Sequence, residues 1–271
     1  MKKILGILGA LACLFSAATA IAGPVVTQWS FNESLAWVTS GGLAPTFSST
    51  GGTQDVTPTL LSWGSSSGSL DPAVNPNRSG VGITNAAVSG LVNTNGATAT
   101  TNTITHYNNP ISSSFGTLLT ANLLNMLTLT PTLPAPNSPF GPTSIDFMIH
   151  FRETPNSAPC GFPSVSICDD IFVIDLGTLN NSFVYDGNTY FISILNLTNN
   201  LLTLPNATCA AAGAPNGCIG FTTQEGAATP TQFGFKITSQ PVTIPEPGEL
   251  ALLAVGLLGL YFVRERKSLK L

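Results

Sequence analysis

The stretch SIDFMIHFRET, residues 144–154, alternates apolar and polar side chains with a period of two. Ile145, Phe147, Ile149 and Phe151 fall on one side, and Asp146, Met148, His150 and Arg152 on the other. Successive side chains of an extended chain point to opposite faces, so the pattern predicts a strand with one buried and one wetter face. Downstream, DIFVIDL (residues 170–176) is almost wholly apolar and predicts a strand covered on both faces. FVYDGNTYFISIL (residues 183–195) sets Asp186-Gly187-Asn188 between two aromatic and β-branched runs. Asp-Gly accepts the positive backbone angles of a tight turn, so a hairpin is expected there. FGFKITS (residues 233–239) reads as a last strand.

Upstream, VVTQWSF (residues 25–31) predicts a first strand with Val25, Thr27, Trp29 and Phe31 on one face. LLTANLLNMLTLT (residues 118–130) fits a short helix or a strand, and the alternation in MLTLT favours the strand. Residues 41–102 are rich in Ser, Thr, Gly and Asn, which predicts short strands separated by long loops. No long amphipathic helix is visible. The expected fold is therefore all-β, an antiparallel β-sandwich or jelly-roll-like domain. Its three tryptophans (Trp29, Trp37, Trp63) either pack in the core, the commoner fate of such residues, or form a sugar-stacking platform.

The ends read differently. Met1-Lys2-Lys3, the apolar ILGILGALACLFSA and the small residues of ATAIAG make the three parts of a secretory signal peptide. Cleavage after Ala22 leaves Gly23 first; Ala20 is the neighbouring alternative. Cys13 belongs to the apolar part. At the other end, Ile244-Pro245-Glu246-Pro247-Gly248-Glu249 stops any preceding element, because proline lacks an amide donor and fixes its own backbone. A helix over residues 249–263 is expected next, then a basic end over residues 264–271. Its fourteen apolar residues span about 21 Å, short of a hydrocarbon core of about 30 Å. The basic end predicts a cytoplasmic C-terminus, consistent with export of the chain before it.

This order of Pro-Glu-Pro, short apolar helix and basic end resembles the PEP-CTERM sorting domain of Gram-negative bacteria that make exopolysaccharide. The resemblance implies that a membrane exosortase processes the tail near Pro245, Glu246 and Pro247, which would be recognition residues, and releases the domain to the cell surface. It implies an itinerary of Sec translocon, inner-membrane-anchored precursor, then cell surface or extracellular matrix. The parallel with a removable glycolipid-anchor tail is physical: a hydrophobic segment holds the substrate at the membrane until an enzyme replaces it.

The domain between the ends, residues 23–243, is long enough for a sizeable core. The whole chain carries a formal charge of −4. The domain alone has three basic residues (Arg78, Arg152, Lys236) against ten acidic ones, giving −7, because the other basic residues sit in the ends. A nucleic-acid partner is not expected. The neutral hydroxyls and amides that carry solubility are compatible with hydrogen bonding to polysaccharide. Four cysteines remain after export, and an even number in an oxidising compartment predicts two disulfides. The local pairs Cys160 with Cys168 and Cys209 with Cys218 are favoured among three connectivities, each stapling a loop. A zinc site finds neither a C-x-x-C nor a nearby histidine.

Two histidines bound any histidine chemistry. His106 lies in ITHYNNPI, and Thr105-His106-Tyr107-Asn108 resembles the Thr-His-x-Asn pattern of the THxN family of PEP-CTERM proteins. FRETPN (residues 151–156), the cysteine pair after it and Asp170-Ile171-Phe172 extend the resemblance. That resemblance implies kinship and no mechanism. His106 is either a strand-end residue satisfying turn groups or a ligand, general base or polysaccharide contact whose tautomer Asn108 holds. His150 reads as a solvated strand residue. Asp169, Asp170 and Asp186 are oxygen donors that could take calcium, but without the one-three-five spacing of an EF-hand. The G-x-S-x-G match at residues 64–68 (GSSSG) falls in a Ser/Gly-rich run with no helix after it to form an elbow, and no phosphate loop occurs, so no enzyme is expected. The reading is a non-catalytic, exosortase-sorted surface or matrix protein associated with exopolysaccharide. The alternatives are a carbohydrate-binding module using the tryptophans and Asp/Asn loops, and a hydrolase centred on His106.

Overall fold

The computed structural model describes residues 23–134, 138–175 and 180–239. The segments read above as a signal peptide and as a sorting tail with its Pro-Glu-Pro, and the expected domain edge at residue 243, lie outside them. Fifteen strands follow one another. They are β1 (Gln28–Trp37), β2 (Thr46–Phe47), β3 (Thr53–Val56), β4 (Leu60–Gly64), β5 (Arg78–Thr84), β6 (Ala87–Asn93), β7 (Ala99–Asn108) and β8 (Leu118–Leu133). Then come β9 (Phe140–Arg152), β10 (Asp170–Ile174), β11 (Asn180–Tyr185), β12 (Asn188–Asn196), β13 (Leu202–Thr203), β14 (Ile219–Thr223) and β15 (Ala227–Thr238). A short helix α1 (Asn206–Ala211) lies between β13 and β14.

The strands form two antiparallel sheets. One has the order β13-β14-β10-β9-β8-β1-β6, with β2 added to β8; the other has the order β11-β12-β15-β7-β5-β4-β3. An isolated parallel bridge, Thr94 with Ile237, ties the two at one corner. Their inner faces meet in a shared core in which Leu35, Leu123, Phe147 and Phe151 of the first sheet pack on Leu61, Trp63, Val81 and Ile104 of the second. This is the antiparallel β-sandwich expected from the alternating pattern.

The deciding stretch behaves as read: Ile145, Phe147, Ile149 and Phe151 are buried, while Asp146, Met148 and Arg152 are exposed. The ambiguous leucine-rich segment is strand, within β8. β10 is buried along its whole length. Phe172 and Ile174 face the inter-sheet core, and Ile171 and Val173 face a small cluster under α1 with Cys209 and Cys218. The β11–β12 hairpin turns at Asp186 (φ 47°) and Gly187 (φ 77°), both in the left-handed region that Asp-Gly tolerates.

The first strand needs a correction. Val26 is buried and Val25 is 46 % exposed, so Val25 and Thr27 do not continue the face of Trp29 and Phe31. The register against β8 shifts between Gln28 and Trp29, where Gln28 pairs with Leu133 and Trp29 with Pro131. The extra residue there, Thr132, belongs to β8, and the regular pairing of the first strand with it begins only at Trp29. Beyond it the parity is regular, and Trp29, Phe31, Glu33, Leu35 and Trp37 all point into the core.

Both expected disulfides form, Cys160–Cys168 and Cys209–Cys218, with Cα–Cα distances of 5.1 and 5.7 Å. They fit an oxidising, extracytoplasmic compartment. No helix among the described residues is long and apolar enough to cross a membrane.

Candidate functional site: a histidine and carboxylates between the sheets

The period of two places Asn102, Ile104, His106 and Asn108 on the inner face of β7. The same parity carries the inner face of β9 one step past Phe151, to Glu153, and puts Asp170 in line with Phe172 and Ile174 on β10. These three strands converge at one end of the sandwich. There His106 Nε2 lies 3.7 Å from Asp170 Oδ2, and both side chains are fully buried. Glu153 Oε2 accepts a 2.8 Å hydrogen bond from Trp63 Nε1, and Ser79 Oγ lies 3.3 Å from Oε1. Asp170 Oδ1 accepts from the backbone N–H of Thr154 (2.8 Å) and lies 3.1 Å from its hydroxyl oxygen. Glu225, on the turn between β14 and β15, completes the group; both its carboxylate oxygens are out of solvent reach.

The β9–β10 loop positions two of these acids. Glu153 and Thr154 stand on its entering leg and Asp170 on its leaving leg. The Cys160–Cys168 bridge closes the loop between them, and the Thr154 hydroxyl donates to the Cys168 carbonyl. Aromatic rings wall the imidazole: Phe151 meets it edge-on at 4.9 Å and Phe221 lies at 6.5 Å.

Electrostatics follow from burial. Desolvation drives the His106 pKa down to about 3, so the ring is neutral and its approach to Asp170 is not an ion pair. Burial, and next the charge of Glu153, hold the Asp170 carboxyl well above its usual range against the Thr154 N–H and hydroxyl beside it. Burial raises Glu153 to about 7, opposed first by the Trp63 hydrogen bond and then by the nearby Asp170 carboxyl, at a geometry short of a full hydrogen bond. Burial also raises Glu225; Asn156 partly offsets this, at a geometry short of a full hydrogen bond.

Residues of the Thr105–Asn108 stretch and of the segments at 151–156 and 170–172 thus lie at one end of the sandwich. Asn108 does not hold the imidazole; its Nδ2 donates 2.8 Å to the Thr223 carbonyl and so ties the two sheets together. Thr105, on the opposite parity, is buried as well. The three calcium candidates do not share a site. Asp169 binds its own loop, accepting from Val165 N (3.0 Å) and from Ser166 N (2.9 Å) and its hydroxyl. Burial alone would raise Asp169, but these bonds, from Ser166 first, hold it below its ordinary value. Asp170 faces His106, and Asp186 sits on the far hairpin beside Gly23.

Trp29, Trp37 and Trp63 are all core residues, so none offers a ring to a sugar. His150 is half-buried on the outer side of its strand.

Sequence reasoning gave Glu153 and Glu225 no role. For Glu153 the signal was present, since the inward parity of β9 runs on to it. Glu225 follows only from the tertiary fold. The chain matches no protein-family model, and no curated protein matches it.

Proposed function

We propose that this chain is an exported, non-catalytic surface or matrix protein, sorted through its Pro245-Glu246-Pro247 tail by an exosortase and associated with exopolysaccharide. The observation that carries the reading is the burial of Trp29, Trp37, Trp63 and His106 together, at 0 to 3 % exposure. A sugar platform needs exposed rings and a hydrolase needs a cleft that reaches its base, and these residues supply neither. The two disulfides support passage through an oxidising compartment. The short apolar tail suits a temporary membrane hold better than a permanent anchor.

Cell fractionation of the wild type beside a deletion of residues 245–247, with mass mapping of the mature C-terminus, tests the reading. The wild type is expected at the surface, shortened near Pro245, and the deletion in the inner membrane. Recovery of the intact Lys270-Leu271 end on the surface form would overturn it.

A further inference from the structure

Among the described residues, nine buried side-chain nitrogen and oxygen atoms lack a hydrogen-bond partner, and six of them belong to one place: His106 Nδ1 and Nε2, Asn108 Oδ1, Asp170 Oδ2, and both carboxylate oxygens of Glu225. Buried polar atoms are nearly always partnered, and a concentration of exceptions points to a missing ion, proton or water. The deficit is mainly of donors: the carboxylate oxygens, the amide oxygen and one nitrogen of the neutral imidazole accept while its other nitrogen carries the ring proton, and no lysine or arginine among the described residues answers them. Arg78 is committed elsewhere, donating to the Ser65 and Leu70 carbonyls and the Ser62 hydroxyl.

We propose that His106, Asp170, Glu153, Glu225 and Asn108 form a binding site for one divalent transition-metal cation. The mixture of donors selects the class. Calcium favours a shell of oxygens alone, whereas an imidazole nitrogen beside carboxylates suits zinc or manganese. The 3.7 Å between His106 Nε2 and Asp170 Oδ2 is a few tenths of an ångström wider than the roughly 3.4 Å between two tetrahedral ligands about 2.1 Å from a common ion. The acids alone would not make a site. The fully buried imidazole, unbonded at both nitrogens and set against Asp170, is the independent sign of a ligand.

As they stand, no three His, Cys, Asp or Glu side chains among the described residues are gathered so as to hold a metal. Binding of the cation draws these donors together, with Glu225 closing from the turn between β14 and β15. Glu153 and Glu225 are also the half-exposed members of the set, so the ion enters past them.

The test compares melting temperatures of the exported protein, purified from its producing cells, in chelator and after addition of Zn²⁺, Mn²⁺ or Ca²⁺ at pH 7.5. Zinc or manganese at a hundredfold excess over its dissociation constant is expected to raise the midpoint by about 5–10 °C. Elemental analysis is expected to find one ion per chain. Glu225→Gln and His106→Gln should each lose most of the rise. If His106→Gln does not fold, Glu225→Gln decides alone, since its site is a turn. Absence of any rise in the wild type would leave protons as the only neutralising partner and overturn the proposal. So would a full rise in Glu225→Gln, or a rise with calcium only.

Discussion

The imidazole of His106 and the carboxyl of Asp170 face each other at 3.7 Å across the gap between the two sheets, and solvent reaches neither. The separation is too long for a hydrogen bond. The ring is neutral, so attraction between charges does not hold the pair either. What fixes Asp170 is the N–H of Thr154, and what fixes His106 is strand β7 and the ring of Phe151.

Asp170→Ala therefore removes the acceptor of the buried Thr154 N–H and is expected to destabilise the fold by about 1–3 kcal/mol. Asp170→Asn keeps an oxygen for Thr154 and abolishes the buried acid, so its cost should stay below about 1 kcal/mol. Urea unfolding in chelator measures both. Equal losses for the two variants would show that the carboxyl itself, not the acceptor, matters.

Glu33 is the acid inside the sandwich away from this cluster. It borders a cavity of about 40 Å³ among Leu123, Phe147, Ile174 and Phe235, and accepts from Asn125. Burial raises its pKa to about 7, against the hydrogen bonds of Asn125 and Asn102. The unfolded chain releases this proton near pH 4.5 and the native chain near pH 7, so between those values the native state binds more protons. Its contribution to stability is therefore full below about pH 4.5 and is lost as pH rises to about 7, by up to about 3 kcal/mol. Glu153 and Asp170 act in the same direction. The measurement is thus the difference between wild type and Glu33→Gln in urea unfolding at pH 5 and pH 8. The variant should be the more stable of the two at pH 8, and an unchanged slope with pH would exclude Glu33 as its source.

The tryptophans carry structure. Trp29 meets Phe183, Tyr185 and Tyr190 edge-on at 5.1 to 5.7 Å, and Trp63 meets Phe151 at 5.0 Å while donating to Glu153. Trp29→Ala and Trp63→Ala are each expected to cost about 3–5 kcal/mol, the range for emptying a large core site. Thermal melts should show this directly. A variant that melts like the wild type yet fails to bind a polysaccharide would restore the platform reading.

Much of the sandwich was legible because its signals are local. The alternation at residues 144–154, the Asp-Gly turn and the all-apolar β10 each follow from side-chain parity or backbone tolerance within a few residues. Parity also reaches Glu33 and Glu153, which occupy inward positions in otherwise apolar series. The bulge opposite Gln28 was not legible, because it lies in the partner strand, and the regular pairing of the two begins only beyond it. Nor was the meeting of residues 106, 153, 170 and 225, which requires strands from both sheets. The Thr-His-x-Asn and FRETPN segments marked parts of that site without showing that they touch.

Gly23 lies where the predicted leader ends. Its N–H donates 2.9 Å to the Asp186 carbonyl, Asn188 Nδ2 donates 2.8 Å to the Gly23 carbonyl, and a Cβ added to Gly23 would fall 1.7 Å from Asp186 Oδ2. A side chain here would displace the exposed Asp186 carboxylate. Cleavage after Ala22 would also place a new α-ammonium beside the Asp186 carboxylate, an exposed pair worth up to about 1 kcal/mol. The mature N-terminus is therefore expected to be Gly23. Mass spectrometry of the exported protein decides it, and a start at Ile21 would set the cleavage after Ala20 instead. A form extended by Ile-Ala should lose the pair, and with it a degree or two of melting temperature, about 2–4 °C per kcal/mol for a chain of this size. Gly23→Ala in the mature protein should weaken the same pair, because its Cβ displaces the Asp186 carboxylate, and equal melting of all three forms would remove Asp186 as the anchor.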